Sequence, residues 1–165
     1  MRKPVGQYLL SENESNPVWK DLVDAFEMCT MDIVSSSRKK YEQEECALIQ
    51  KAVELHGGKA VIKCIFETIQ GNCSWELFWL ARAGVMEVES HLIALLDSDD
   101  EDELTSAVLG LLYFDNDKAW YLLHQLINGE HQVNLTQSPS WYFQEDLELI
   151  SNPKAKKYLA MVLNT

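Results

Sequence analysis

Residues 85–112 read VMEVESHLIALLDSDDEDELTSAVLGLL, and this stretch decides the fold of the chain. Its apolar residues recur at spacings of three and four, which places their side chains on one face of an α-helix. In the first half of the stretch they are Val85, Val88, Leu92, Leu95 and Leu96. An acidic segment, 97–103, follows, and a second apolar run then extends from Leu104 to Phe114. The stretch therefore predicts two helices joined by an acidic turn.

The same signals continue in both directions along the chain. Asn-Pro, Ser-Pro or a lone serine precedes several apolar-periodic segments, and glycine follows others, as at helix starts and ends. Residues 130–137 lack periodicity and are predicted to be a loop. Only four prolines and seven glycines interrupt the 165 residues, which disfavours many short strands. The predicted helices span residues 16–35, 38–55, 59–69, 74–84, 85–96, 104–114, 118–128, 138–150 and 152–163.

The second helix of each predicted pair resembles the others. Leu92, Leu95 and Leu96 lie 31 residues before Leu123, Leu126 and Ile127, whereas the last unit is offset by 36. A repeated helix pair of about thirty residues is typical of an α-solenoid, in which stacked hairpins bury one another's apolar faces. We therefore predict an all-α fold, an α-solenoid of degenerate helical hairpins. The alternative is a globular helical domain in which every helix happens to be amphipathic.

The length of the chain fits one domain, 1–165. Residues 1–56 form N-terminal helices that are less repeat-like, and the repeated pairs occupy 57–165. No segment reaches the roughly 18 to 20 apolar residues that a membrane span needs. The amino terminus has no apolar run typical of a secretory signal. We therefore expect a cytoplasmic protein.

Negative charge is concentrated in the second half of the chain. The formal net charge is −12, and residues 71–165 carry 5 basic and 15 acidic side chains, a net charge of −10. Such a field repels nucleic acid and anionic lipid, and it accelerates association with a basic protein. The alternative interpretation is a solvated surface without a dedicated partner.

The acidic segment resembles a calcium loop only superficially. If Asp97 were the first position of an EF-hand, Asp102 would replace the required glycine and Val108 the bidentate glutamate. None of the four histidines has a second histidine or cysteine at metal-ligand spacing. We therefore predict no metal site and no cofactor.

Motifs of the common enzyme classes are absent from the sequence. It contains no nucleophile elbow, phosphate-binding loop or dinucleotide fingerprint. A cysteine nucleophile, Cys73 with His91 as its base, is the one enzymatic alternative that the sequence leaves open. We expect a protein that is not an enzyme.

Carboxylates and aromatic side chains occur together around the two turns that border the helix 104–114. Aromatic residues next to acids are frequent anchors of protein interfaces, although most large aromatics lie in cores. Acids in a turn also favour the start of the following helix. The candidate partner-binding residues are Asp97, Asp99, Asp100, Glu101, Asp102, Glu103, Asp115, Asp117, Trp120 and Tyr121.

The stretch 75–129, with LIALLD at 92–97 and AVLGLL at 107–112, resembles HEAT-type repeats. It is also similar to the small acidic helical immunity proteins of bacterial polymorphic toxin systems, including contact-dependent growth inhibition. The resemblance implies a HEAT-like solenoid that binds a cognate toxin domain in the cytoplasm and blocks its active site. Many such toxins are basic nucleases, which would suit the acidic half. The basic segment 38–40 departs from the pattern. The alternative function is a HEAT-like adaptor or scaffold in a larger assembly.

Overall fold

The computed structural model of the protein describes residues 16–30 and 35–165. All regular structure in these two ranges is helical, so the all-α prediction is confirmed. A 3₁₀ turn at Met86–Val88 leads into the fifth helix. The described helices are α1 (Pro17–Thr30), α2 (Ser35–His56), α3 (Gly58–Thr68), α4 (Ser74–Arg82), α5 (Glu89–Leu95), α6 (Glu101–Leu112), α7 (Asp117–Asn128), α8 (Pro139–Leu149) and α9 (Pro153–Val162).

Several helix boundaries follow the predicted capping residues, whereas Ser74 is the first residue of α4 rather than its cap and Ser138 makes no side-chain cap bond. Asn16 caps α1 through its side chain, Asn152 does the same for α9, and Gly129 ends α7 in the left-handed conformation. The end of the first predicted helix, beyond residue 30, falls partly outside the described residues. The second helix begins at Ser35 rather than at Arg38.

The prediction that the whole segment 97–103 forms a turn was wrong. The Asp100 side chain accepts a hydrogen bond from the backbone N–H of Glu103, so α6 begins at Glu101. Three acids, Glu101 to Glu103, occupy the first turn of that helix, where the macrodipole favours negative charge. Local capping therefore removes three of the six acids from the turn.

Helix α4 lies at the centre of the fold. Every residue from Ser74 to Ala81 is buried, and the helix packs against α2, α5 and α6. On one side α1, α2 and α3 pack together, and on the other α8 and α9 form a pair that contacts α6 and α7. A helix that is mostly apolar on all sides must be enclosed by neighbours, so the central place of α4 follows from its sequence.

Gly110 permits the close approach of α6 to α4. A Cβ atom at this position would lie 2.7 Å from Leu92 Cδ1 and 3.2 Å from Ala81 Cβ. Leu92 and Ala81 are both buried, and the alanine methyl has no torsion that would move it away. The α4–α6 contact therefore depends on the missing side chain.

We expect Gly110→Ala to destabilise the protein by about 1 kcal/mol, measured by chemical denaturation. Overpacking typically costs roughly 1–3 kcal/mol, and the better helix propensity of alanine returns up to about 1 kcal/mol. The same change in a Leu92→Ala background tests the cause, because the added methyl then fills part of the vacated space. A Gly110→Ala effect of equal size in both backgrounds would contradict the steric explanation.

Candidate functional site

The two acidic turns predicted from the sequence are brought together by an ion pair. Lys118, in the first turn of α7, lies 3.0 Å from the Asp97 carboxylate. The Asp97 side chain is 82% exposed, and that of Asp117, beside Lys118, is 97% exposed. We call the exposed carboxylates of this region the acidic ledge: Asp97, Asp99, Asp100, Asp102 and Asp117.

Glu101 and Glu103, two of the predicted binding acids, also brace the fold. The Glu101 carboxylate accepts a hydrogen bond from the Thr136 backbone N–H at 2.6 Å and another from the Tyr142 hydroxyl. Glu103 accepts a bond from the Ser98 hydroxyl. Both are half-buried, so they attach the 130–137 loop, α8 and the α5–α6 turn to α6. Their contribution to partner binding stays a prediction. A partner would have to bind carboxylates that already accept these internal hydrogen bonds.

Asp115 joins the α6–α7 turn to α9. Its backbone is left-handed, with φ 54°, a conformation that aspartate tolerates better than most residues. The carboxylate accepts bonds from Lys154 Nζ at 3.1 Å and from Trp120 Nε1 at 2.8 Å. The bond from Lys154, followed by that from Trp120, lowers the pKa of Asp115. The acid stays ionised because its partners favour the charged form.

The two predicted aromatic anchors lie in different environments. Trp120 is only 4% exposed and stacks on Tyr158 with ring centroids 5.5 Å apart, so it presents no anchor at the surface. Tyr121 is 61% exposed. It lies one turn after Lys118 on the same face of α7, and Gln125 donates a hydrogen bond to its hydroxyl. Tyr121 therefore borders the acidic ledge.

A second exposed aromatic, Trp141, was not among the predicted anchors. It is an exposed residue of α8 whose ring packs edge-on against Tyr142, with centroids 4.7 Å apart. Because Tyr142 donates to Glu101, Trp141 lies on the α8 side of the same acidic region. The tryptophan follows Pro139 and Ser140 in the sequence, but its periodicity does not reveal its exposure.

A buried ionic cluster links α2, α4, α6 and α8. The Arg82 side chain is 6% exposed, and its guanidinium lies 2.6 Å from Glu45 and 3.6 Å from Glu42. On the far side the Tyr113 hydroxyl donates to Asp146 at 2.8 Å. Burial, together with the Asp146 charge, raises the pKa of Tyr113 well above its ordinary value. The tyrosine stays protonated and acts as a hydrogen-bond donor.

This ionic cluster was missed by the sequence reasoning, although one signal pointed to it. Arg82 is the only cation between Lys63 and Lys118, and it stands at the end of an otherwise apolar helix. A charge in such a place needs a buried partner of opposite sign. The identity of that partner, on α2 37 residues earlier, follows only from the packing.

The residues of the enzymatic alternative do come together in a cleft. Cys73 and His91 both line a recess of about 380 Å³ between α3, α5 and the start of α4. Burial, reinforced by the nearby Glu76 carboxyl, raises the pKa of Cys73 to about 11. A thiol with that pKa is protonated near neutral pH, whereas a cysteine nucleophile acts as the thiolate. The geometry thus offers a cleft without an activated nucleophile.

Metal-binding geometry and membrane-spanning length are not found in the described part of the chain. Across residues 16–30 and 35–165, no three histidine, cysteine, aspartate or glutamate residues are grouped to hold a metal ion. No described helix combines the length and the apolar content needed to cross a bilayer. Comparison of the chain with protein-family models, curated proteins and solved structures gave no match.

Proposed function

We propose that this chain is an immunity protein that binds a cognate basic toxin domain through the acidic ledge and blocks its active site. We propose that the fold is an α-solenoid of HEAT-like hairpins. The contacts of α4 with α6, of α6 with α8 and of α7 with α9 support this proposal. Occlusion requires a stable surface of complementary charge and no catalysis by this chain. The observation that carries the proposal is the convergence of two acidic turns on one exposed surface.

Three of the five cations of the acidic half are already engaged with carboxylates. Lys118 pairs with Asp97, Lys154 with Asp115 and Asp117, and Arg82 is buried against α2. Exposed ion pairs of this kind contribute little to stability, so they are readily exchanged for pairs with a partner. The ledge therefore retains a negative field, which speeds the encounter with a basic protein.

Exposed aromatic side chains flank the ledge on two sides. Tyr121 borders it at α7 and Trp141 at α8. Tyrosine and tryptophan supply large contact areas at low cost in side-chain entropy, and they are enriched among residues that dominate binding energy. We propose that these two residues anchor the partner while the carboxylates set its orientation.

Charge reversal on the ledge tests the proposal. We expect the triple variant Asp97→Lys, Asp99→Lys, Asp117→Lys to weaken binding of the cognate toxin domain about 100-fold or more, because each close charge pair is worth roughly 1.5 kcal/mol or more. The domain to be tested as partner is the C-terminal domain of the protein whose gene lies immediately upstream of the gene for this chain. Calorimetry at several salt concentrations measures the affinity, and growth of cells expressing the toxin measures protection.

A matched control carries the same change in net charge elsewhere. Asp24, Glu44 and Glu54 are exposed acids of α1 and α2, away from the ledge. Their replacement by lysine should change affinity by less than about fivefold, through long-range electrostatics alone. Equal losses of affinity in both triple variants would show that the ledge is not part of the interface. Failure of the unmodified chain to bind the toxin domain or to protect cells would overturn the proposed function.

An adaptor or scaffold is the second candidate, favoured by the stacked contacts of α6 with α8 and of α7 with α9. Stacked hairpins present an extended surface that serves several partners as readily as one. The two roles differ in stoichiometry. Purification of the tagged chain from its host should give a 1:1 complex with a toxin for an immunity protein, and several proteins in fixed ratio for a scaffold.

A further inference from the structure

A cleft runs along the surface between α3, α5 and the start of α4. Its outer part, of about 530 Å³, lies between α3 and the 3₁₀ turn that precedes α5. Its inner part, of about 380 Å³, reaches the first residues of α4. The two parts share Phe66, Ser90 and His91, whose side chains form the boundary between them. The two parts of the cleft therefore adjoin at these three residues.

The inner end of the cleft carries hydrogen-bond acceptors. Ser74 is only 2% exposed, and its hydroxyl has no hydrogen-bond partner among the described residues. The Glu103 carboxylate lines the same recess. Apart from His91, no lining side chain of the inner part is basic. A carboxylate accepts hydrogen bonds, whereas a serine hydroxyl can donate or accept one. A buried hydroxyl without a partner is costly, so an occupant that supplies N–H donors would satisfy both groups.

The walls of the inner part are apolar. Phe66, Leu77 and Leu95 line it between the mouth and the polar end. An occupant that suits both regions has an aliphatic stem and a cationic head rich in donors. Arginine has this form. Its planar guanidinium can donate hydrogen bonds to a carboxylate and to a neighbouring acceptor at the same time, and it stacks on aromatic rings such as Phe66 and His91. An anion at the start of α4 would instead be repelled by Glu103.

The cleft is continuous with the acidic ledge. Glu103 lines the recess and accepts a hydrogen bond from Ser98, which lies inside the α5–α6 turn between Asp97 and Asp99. A protein seated on the ledge would therefore lie beside the Glu103 side of the inner part of the cleft. We propose that the partner inserts one arginine side chain into this cleft, with its guanidinium between Glu103 and Ser74. The inference rests on the proposed function for the identity of the partner.

A small guanidinium tests the cleft without the partner. We expect n-butylguanidinium to shift the backbone amide signals of Cys73, Ser74, Leu95 and Glu103 in a nitrogen–proton correlation spectrum, with saturation in the millimolar range, on the order expected for so small a ligand. Uncharged n-butylurea should bind at least about 10-fold more weakly. Ser74→Ala should weaken n-butylguanidinium binding severalfold while leaving the circular dichroism spectrum unchanged. Absence of saturable shifts at the inner end would overturn the proposed chemistry.

A second pair of variants tests the insertion itself. Ala94 lines the inner part, whereas its exposed neighbour Ile93 does not. Ala94→Trp should block the cleft and weaken binding of the toxin domain about 10-fold or more, and Ile93→Trp should change it by less than about twofold. Unchanged affinity of Ala94→Trp, with binding by the unmodified chain intact, would overturn the insertion and leave the proposed function standing. Binding of n-butylguanidinium without any binding of the toxin domain would overturn the assignment to that partner.

Discussion

Replacing Arg82 by methionine is expected to lower the free energy of unfolding by about 3–5 kcal/mol, the usual effect of removing one member of a buried ion pair. The guanidinium lies 2.6 Å from Glu45 and 3.6 Å from Glu42, and both carboxylates are buried. Methionine retains the apolar stem but leaves the two carboxylates facing each other in a low-dielectric environment. A change of this size is a large part of the stability of a typical domain.

The loss should be concentrated in the contact between α2 and α4. Cys46 and Gln50 of α2 also bond to the α4 end, at the carbonyl oxygens of Arg82 and Ala83, so the guanidinium is one part of a continuous contact. Amide hydrogen exchange in Arg82→Met should therefore accelerate in α1 and α2 more than in α6 to α9. Urea denaturation gives the free energy, and the exchange experiment shows where it is lost.

Two further variants separate charge from packing. Arg82→Lys keeps the charge as a single point and should lose less stability than Arg82→Met, because lysine lacks the planar fork that reaches two carboxylates. The triple variant Arg82→Met, Glu42→Gln, Glu45→Gln removes the unbalanced charge and should recover at least half of the loss. If the triple variant is no more stable than Arg82→Met, the loss comes from packing and not from buried charge.

Replacing Glu76 by glutamine is expected to stabilise the protein by about 3 kcal/mol at pH 8.5 and to have little effect at pH 4. Burial raises the pKa of Glu76 from 4.5 to about 7, with a smaller opposing effect of a backbone hydrogen bond. The residue lies in the first turn of α4, which is buried throughout. Glutamine resembles the protonated acid in shape and carries no charge to bury.

The direction of the pH effect follows from proton binding in the two states. Between pH 4.5 and 7 the folded protein holds a proton on Glu76 that the unfolded chain has released, so the stability of the unmodified protein falls as the pH rises. Below about pH 4.5 both states are protonated, and above about pH 7 both are ionised, so this contribution is constant outside the window. The Glu76→Gln variant should lack this dependence, and the two stability curves should separate across it.

Glu148 provides the matched control for this measurement. It is an exposed acid of α8 that accepts a bond from Gln144, and Glu148→Gln should shift stability by less than about 0.5 kcal/mol at either pH. Denaturation curves recorded at intervals from pH 4 to pH 9 give the comparison. Parallel curves for the unmodified protein and Glu76→Gln would show that Glu76 keeps an ordinary pKa in the fold.

Local sequence patterns were sufficient for the positions of the helices. The apolar spacing of Val88 and Leu92 and the side-chain caps at Asn16 and Asn152 act over two to four residues, so their effect is visible without tertiary structure. The difference between Trp120 and Tyr121 was visible in the same way. Trp120 falls on the apolar stripe of α7, and Tyr121 falls on the polar face with Gln125. The periodicity thus distinguishes the buried Trp120 from the exposed Tyr121, whereas residue type alone does not.

The use of each carboxylate was decided by tertiary structure. Asp97 and Glu101 belong to the same acidic segment, yet one is 82% exposed and the other is half-buried and accepts a bond from Tyr142, 41 residues later. Likewise, nothing local connects Glu45 with Arg82 or Ser74 with Glu103. Helix formation depends on neighbours in the chain, whereas the environment of an acid depends on which distant groups the packing brings to it. The sequence by itself therefore determined an acidic, all-helical protein, and the packing decided which of its acids face solvent.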